Sequence, residues 1–191
     1  MKELKDRIVK DGLAIGTEIL KVDSFINHQI DIAFMDKIGE EFKRRFADCK
    51  VDKILTVEAS GIGIACMTAR YFDNAPVVFA KKKAPNTMVE DSYMAESRSF
   101  TKGTVSELRV SKKFLNKGEN VLIIDDFLAH GQAASALCKI LEQAEANAVG
   151  VGAVIEKQFQ GGSKLLRDNG IRVESLAVIE SINDGVINFA E

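Results

Sequence analysis

VLIIDDFLAHGQAA, residues 121–134, sets a run of aliphatic side chains against two adjacent carboxylates and then a loop of small residues. An apolar run without alternation, here NVLIID at 120–125, is the pattern of a parallel strand covered on both faces. An unpaired carboxylate is costly to bury, and two side by side repel each other, so Asp125 and Asp126 call for a cation or a polyhydroxy ligand. Gly131 lets the backbone adopt positive φ or approach a ligand closely. A helix starting near Gln132 presents free N–H groups and a positive dipole end, which suits a phosphate. Carboxylates beside such a cradle fit a sugar phosphate, with acids for hydroxyls or Mg²⁺ and amides for phosphate. The pair also fits a purely structural reading, a strand-end Asp followed by an N-cap Asp. The glycine loop and helix at this spacing favour the ligand site.

Outward from this stretch, strands alternate with helices. Residues 2–10 read as a short polar helix stopped by Gly12, and 18–31 as irregular or extended. Ile32, Met35, Ile38, Phe42 and Phe46 recur at helical spacing within 31–47. KILTV (53–57) is a short strand leading through EASGIG into a helix at about 62–72, and APVVFA (75–80) is another strand. From 81 to 104 the apolar periodicity disappears and charges of both signs mix with Ser, Thr and Gly, the texture of a functional lid. VSELRV (105–110) resumes alternation. A helix over 132–145, a buried strand over 148–156, a short helix near 163–169, the strand RVESLAVI and a hairpin around NDGV complete the chain. The prediction is one α/β domain with a parallel, doubly wound sheet, whose ligands gather at the carboxyl ends of the strands. Both Asp125–Asp126 and the EASGIG loop fall there.

Several classes are disfavoured. The chain has 191 residues, 26 basic and 28 acidic, so its charge does not advertise nucleic-acid binding. No GxxxxGK[ST] accompanies the Walker-B-like LIIDD, and no GxGxxG appears. A receiver domain would carry its acids on the first strand. Cys49, Cys66 and Cys138 lie outside any CxxC spacing and read as reduced thiols, Cys66 as core. The charged start and the absence of a long apolar run predict no signal peptide and no membrane span, hence a cytoplasmic protein.

VLIIDDFLAHGQA resembles the phosphoribosyl-pyrophosphate (PRPP) signature of type I phosphoribosyltransferases. LKVDSFINHQID (20–31), SGI (60–62), FLAHGQA (127–133) and VIEKQF (154–159) are similar to the bacterial xanthine branch over essentially the whole chain. The resemblance implies transfer of ribose 5-phosphate from PRPP to xanthine in purine salvage, with Mg²⁺ and usually a homodimer. It implies a core at about 36–156, a hood over the base from about 1–35 and 157–191, and a flexible loop at about 81–104. Asp125 and Asp126 become the catalytic acids, with Mg²⁺ on the PRPP diphosphate and possible contact to either acid. Ala129, His130, Gly131, Gln132 and Ala133 become the phosphate loop, and Ser60 and Gly61 the diphosphate loop. Many members carry threonine where this chain has His130 and Ala133, and the xanthine branch commonly has Asn at His130. The backbone amides of 129–133 are then expected to carry most of the recognition.

Ser60 also suits an N-cap, and Lys81, the diphosphate candidate in KKK (81–83), also suits a solvated strand end. Lys157 is implied at the 6-oxo group of the base, where an ammonium suits a carbonyl and not the amino group of adenine; it also suits an ordinary surface position. Leu20 and Asn27 match base-contact positions, and Asn27 offers donor and acceptor together. His28 reads as packed or solvated. The alternatives are a hypoxanthine–guanine transferase and a PRPP-sensing regulator of the same fold, the latter opposed by the lack of basic bias and of room for a winged-helix domain.

Overall fold

The computed structural model describes residues 1–82, 91–98 and 105–190. The chain opens with α1 (Lys2–Asp11), in which Leu4 and Ile8, one turn apart, are fully buried. This polar-looking helix is amphipathic, and its apolar stripe closes over the strand near the C-terminus. The Met1 ammonium donates to the carbonyl of Leu176 there. A small hairpin of β1 (Leu13–Ile15) and β2 (Ile19–Lys21) follows, then a π-type turn at Asp23–Asn27, so the stretch 18–31, expected to be irregular or extended, holds an extended strand and a turn.

Helix α2 (Ile32–Arg45) is capped by Asp31, whose carboxylate accepts from Phe34 N at 3.1 Å, and it ends on Lys43, Arg44 and Arg45, where cations favour the helix dipole. Met35, Ile38, Phe42 and Phe46 are buried as the periodicity predicts. Ile32 is not: it is 61% exposed, and Phe34 takes the inward position. Ile32 opens the helix beside the cap, where the chain still faces solvent.

There follow β3 (Lys53–Val57), α3 (Gly61–Tyr71), β4 (Val77–Ala80), β5 (Ser92–Arg98), β6 (Val105–Ser111), β7 (Asn120–Leu128), α4 (Gln132–Gln143), β8 (Asn147–Lys157), α5 (Gly162–Asp168), β9 (Val173–Asn183) and β10 (Val186–Phe189). Among the described residues the central sheet has six strands in the order β10-β9-β8-β7-β3-β4. Every neighbouring pair in it is parallel except the edge hairpin β9–β10. That hairpin turns at Asp184 and Gly185, both at positive φ, as NDGV predicts.

Alternation along the central strands builds two cores. Ile54, Leu122, Ile124 and Val154 face α2 and α3, while Leu55, Val121, Ile123 and Ala153 face α4. Continuous apolar runs are therefore required, which is why VLII reads without polar interruption. Cys138 belongs to the α4 core, where burial pushes its thiol up to about 11. Cys66, expected in the core, is exposed on α3, whose inward positions are Ile64, Ala65, Thr68 and Ala69.

The segment read as lacking elements contains β5, paired antiparallel with β6 from Ser92↔Ser111 to Arg98↔Val105. The hairpin is fastened to the end of α4 by Gln143, whose amide accepts from Met94 N at 3.2 Å and donates to Met94 O at 2.7 Å. The remainder of that expected loop, 83–90 and 99–104, lies outside the described residues. No helix among the described residues is long and apolar enough to cross a membrane.

Candidate active site

At the carboxyl ends of the strands lies a cavity of about 650 Å³. Its wall includes Asp125, residues 129–133 and Lys157, so side chains and backbone predicted from two separate motifs open into one space. Strand β7 continues to Leu128, which places the acidic pair within the strand's last residues rather than beyond its end.

Alternation sends the two acids in different directions. Asp125 faces the cavity, and its Oδ1 accepts from Asp126 N at 2.9 Å. Burial and the neighbouring Asp126 carboxylate push the Asp125 carboxyl well above the ordinary carboxylate range, against a weaker pull from Lys82. Asp126 is held from the other side. Its Oδ2 accepts from Asn27 Nδ2 at 2.6 Å and from Ser60 Oγ at 2.7 Å, and its Oδ1 accepts from Phe127 N at 2.9 Å. Ser60 precedes α3 without capping it, so its hydroxyl serves the acid instead. Gly61, behind it, brings α3 close to Asp125: a Cβ there would stand 3.4 Å from Asp125 Oδ1 and 2.2 Å from Thr56 Oγ1.

The loop after β7 turns at Gly131, at φ 74°, where α4 begins. The close approach this glycine permits is to the chain itself. A Cβ on Gly131 would lie 2.9 Å from the carbonyl oxygen of Gly162, and Gly162 N donates to Ala129 O at 3.0 Å. His130 Nδ1 lies 3.2 Å from the carbonyl of Gln160, so the imidazole leans on the same segment. Residues 129–133 are thus a backbone turn at the N-terminus of a twelve-residue helix, seated on residues 160–162. That arrangement aims N–H groups and a positive dipole end at the cavity.

Lys157, the last residue of β8, reaches across to donate to the carbonyl of Glu18 at 2.6 Å and lies 5.4 Å from the centre of the Phe127 ring. Burial lowers its pKa. The N-terminal hairpin therefore meets the site, through Glu18 and Ile19 on the wall, while Leu20 turns into the core. Asn27 is exposed and tied to Asp126, and does not line the cavity. Lys81 pairs its backbone with Arg109 through two hydrogen bonds, at 2.9 and 3.0 Å, and it is Lys82 that stands on the wall. Ser97 and Ser106, directly opposed on β5 and β6, close another side.

Lys82, Phe127, Gln160, Glu18 and the two serines were not singled out from sequence. Phe127 and Lys82 adjoin residues that were, and strand alternation decides which neighbour points inward. The serines carried no local signal.

No group of three or more His, Cys, Asp or Glu side chains gathers among the described residues. Asp125 and Asp126 alone do not make a cage for a divalent cation. They suit Mg²⁺ that arrives with phosphates, since this ion is commonly bound by one or two carboxylates, substrate phosphate oxygens and water.

The same fold occurs in the adenine phosphoribosyltransferase of Saccharomyces cerevisiae, with a TM-score of 0.73 over 92% of this chain and 99% of that one, at 22% identity. The sequence pattern of the phosphoribosyl transferase domain matches residues 26–187. The xanthine phosphoribosyltransferase of Clostridioides difficile is 58% identical over 189 residues, covering 99% of this chain and all of that protein. That of Ruminiclostridium cellulolyticum is 53% identical over 191 residues, covering both chains completely. A cavity that joins an acidic strand end to a helix-seated loop, with this likeness running from end to end, makes the chain a member of the phosphoribosyltransferase family, with the type I fold.

Proposed function

We infer that the protein transfers ribose 5-phosphate from PRPP to xanthine, giving xanthosine 5′-monophosphate and pyrophosphate. The observation that carries this reading is the shared cavity: Asp125, the 129–133 loop and Lys157 line one space. The whole-length likeness to xanthine phosphoribosyltransferases supports the choice of base.

In this reading the backbone amides of Ala129–Ala133, with His130, Gln132 and the dipole of α4, hold the 5′-phosphate. Ser60, Gly61 and the lysines at 81–82 attend the diphosphate, Lys82 from the wall of the cavity. A ring nitrogen of the base attacks the anomeric carbon as the bond to diphosphate breaks, through an oxocarbenium-like state of the kind met in glycoside hydrolysis. Asp125 and Asp126 orient the ribose hydroxyls and stabilise the positive charge that develops on the ring. Ser60 keeps the Asp126 carboxylate in a fixed plane, so little reorganisation of that acid remains for the transition state. Asp125, on the cavity wall, would hold Mg²⁺ together with the diphosphate, where the cation would supply neutralisation of the leaving group's charge.

Lys157 donates to the 6-oxo group of the base, exchanging the Glu18 carbonyl for the ligand. Asn27, with backbone near Leu20, reads the 2-oxo group that hypoxanthine lacks. Residues 1–35 and 157–191 act as the hood, and the β5–β6 hairpin, through Ser97 and Ser106, walls another side of the reacting centre and helps to exclude water. The protein works as a cytoplasmic homodimer and does not bind nucleic acid.

The deciding experiment measures PRPP-dependent nucleotide formation separately with xanthine, hypoxanthine, guanine and adenine in the presence of Mg²⁺. Xanthine is expected to give the highest kcat/KM. A preference for hypoxanthine or guanine assigns the protein to the other oxopurine class, and PRPP-dependent DNA retardation without turnover makes it a regulator.

A further inference from the structure

Beneath the phosphate loop lies a buried carboxylate that the proposed chemistry does not use. Glu156 is 1% exposed, on β8 immediately before Lys157. Its Oε1 accepts from Ser163 Oγ, and its Oε2 accepts from Ser175 Oγ at 2.6 Å. Both serines are buried. A carboxylate withdrawn from water persists only when its oxygens are satisfied, so this group and the two hydroxyls form one rigid unit.

The two partners differ in what they hold. Ser175 lies on β9, already secured to β8 by strand pairing. Ser163 lies on α5, a short helix entered through Gly161 and beginning at Gly162, and that entry is the seat of the phosphate loop. Gly162 N donates to Ala129 O at 3.0 Å, and a Cβ on Gly162 would come within 2.3 Å of that oxygen and 2.5 Å of Gly131 N. Backbone rests on backbone, with no side chain between them to absorb a shift. A displacement at Ser163 therefore passes undamped to Ala129–Gly131.

We propose that Glu156 is a positioning residue for PRPP, fixing the height of the 129–131 turn through Ser163 and Gly162. The assignment rests on the reading of 129–133 as the phosphate loop. It also explains a feature of the local sequence: Glu156 and Lys157 point to opposite sides of one strand, so β8 supports both ends of the cavity. Lys157 enters it at the base end, and Glu156 props its phosphate end from behind.

The test compares PRPP affinity by calorimetry in the wild type and four variants, with thermal melts for each. Ser163→Ala removes the bond that reaches the loop and is expected to weaken PRPP binding about fivefold, the scale of one lost hydrogen bond. Ser175→Ala removes the equivalent bond to β9 and should lower Tm comparably, with PRPP affinity held within about twofold. Glu156→Leu should weaken PRPP at least about tenfold, while Glu156→Gln keeps an acceptor for Ser163 and offers a donor to Ser175 Oγ, restoring affinity to within about twofold. The KM for xanthine should move less than about twofold in Ser163→Ala, because Lys157 is untouched. Equal losses of PRPP affinity in the two serine variants, or none in either, would make Glu156 a stabilising residue only and overturn the assignment. The serine pair decides the matter even where Glu156→Leu does not fold. Failure of the wild-type protein to bind PRPP would defeat the functional reading itself and this assignment with it.

Discussion

At the end of the cavity to which the proposed function assigns the phosphate, the working groups are contiguous: strand, acids, turn and helix follow one another from residue 120 to 143. At the base end they are not. Lys157 meets Glu18 across 139 positions, and Asn27 meets Asp126 across 99. The first end is made chiefly of backbone, whose N–H groups are presented by any residues that allow the turn. The second is made of side chains and carbonyls brought together only when the N-terminal hairpin docks. The phosphate end should thus fail through conformation, the base end through chemistry.

The sharpest way to break that contrast is Gly131→Val. Gly131 stands at φ 74°, and a Cβ there meets the Gly162 backbone at 2.9–3.0 Å, so a β-branched side chain is excluded twice over. Strain of about 2–3 kcal/mol directed into the loop would lower PRPP affinity by about a hundredfold while the far-UV signal of the folded sheet persists. Calorimetric binding at wild-type strength would show that the phosphate sits elsewhere.

Lys157→Gln tests the other end. Gln keeps a donor and loses the charge, and a hydrogen bond to a charged group contributes about 1.5–3 kcal/mol. The expected loss in kcat/KM is about thirtyfold for xanthine, the same for hypoxanthine, with weaker rejection of adenine. A change confined to PRPP affinity would remove Lys157 from the base site.

Between the two ends, Asp125→Asn separates function from stability. Turnover should fall at least about tenfold, near 1.4 kcal/mol of transition-state stabilisation, and Asp126→Asn should do the same. Stability should move the other way. The folded-state pKa of Asp125 is raised above the ordinary 3.8, so the folded protein binds this proton more tightly than the unfolded chain. Wild-type stability therefore falls as pH rises from 3.8 through the raised folded value, and the penalty persists at neutral pH. Asp125→Asn escapes it. The variant should melt above the wild type at pH 7, and the difference should shrink as pH approaches 3.8. Equal melting temperatures at pH 7 would show that Asp125 carries no such penalty.

The same contrast explains what was legible beforehand. The strand order class, the acidic pair and the loop followed from local patterns, because burial on both faces dictates VLII and a positive-φ turn dictates Gly131. Lys81 and Lys82 could not be told apart locally. Their orientation is fixed by the bridge from Lys81 to Arg109, a partner far along the chain. Strand β5 escaped notice because, of its inward positions Tyr93, Ala95 and Ser97, Ala95 is small and Ser97 polar, which leaves one aromatic to signal alternation by hydropathy. Cys66 was misassigned because α3 is apolar on most sides, so composition does not mark its inward stripe. The clasp of Asn27 and Ser60 on Asp126 joins three segments and has no signature in any one of them.

That clasp gives the smallest and most discriminating prediction. Asn27 donates to Asp126 at 2.6 Å, which in the proposed function sets its amide between ribose and base. If the amide turns to the 2-oxo group when xanthine binds, Ser60 remains to hold Asp126 through its own 2.7 Å bond. Asn27→Ala should then leave most of the ribose chemistry intact and remove one neutral hydrogen bond to the base. The expected result is a loss in kcat/KM about fivefold greater for xanthine than for hypoxanthine, which has no oxygen at that position. Ser60→Ala, by contrast, loosens Asp126 without touching the base and should lower both substrates by the same factor. Equal losses for the two bases in Asn27→Ala would reduce Asn27 to a second Ser60, a holder of the acid, and would send the search for the 2-oxo reader to the backbone of Glu18 and the start of β2.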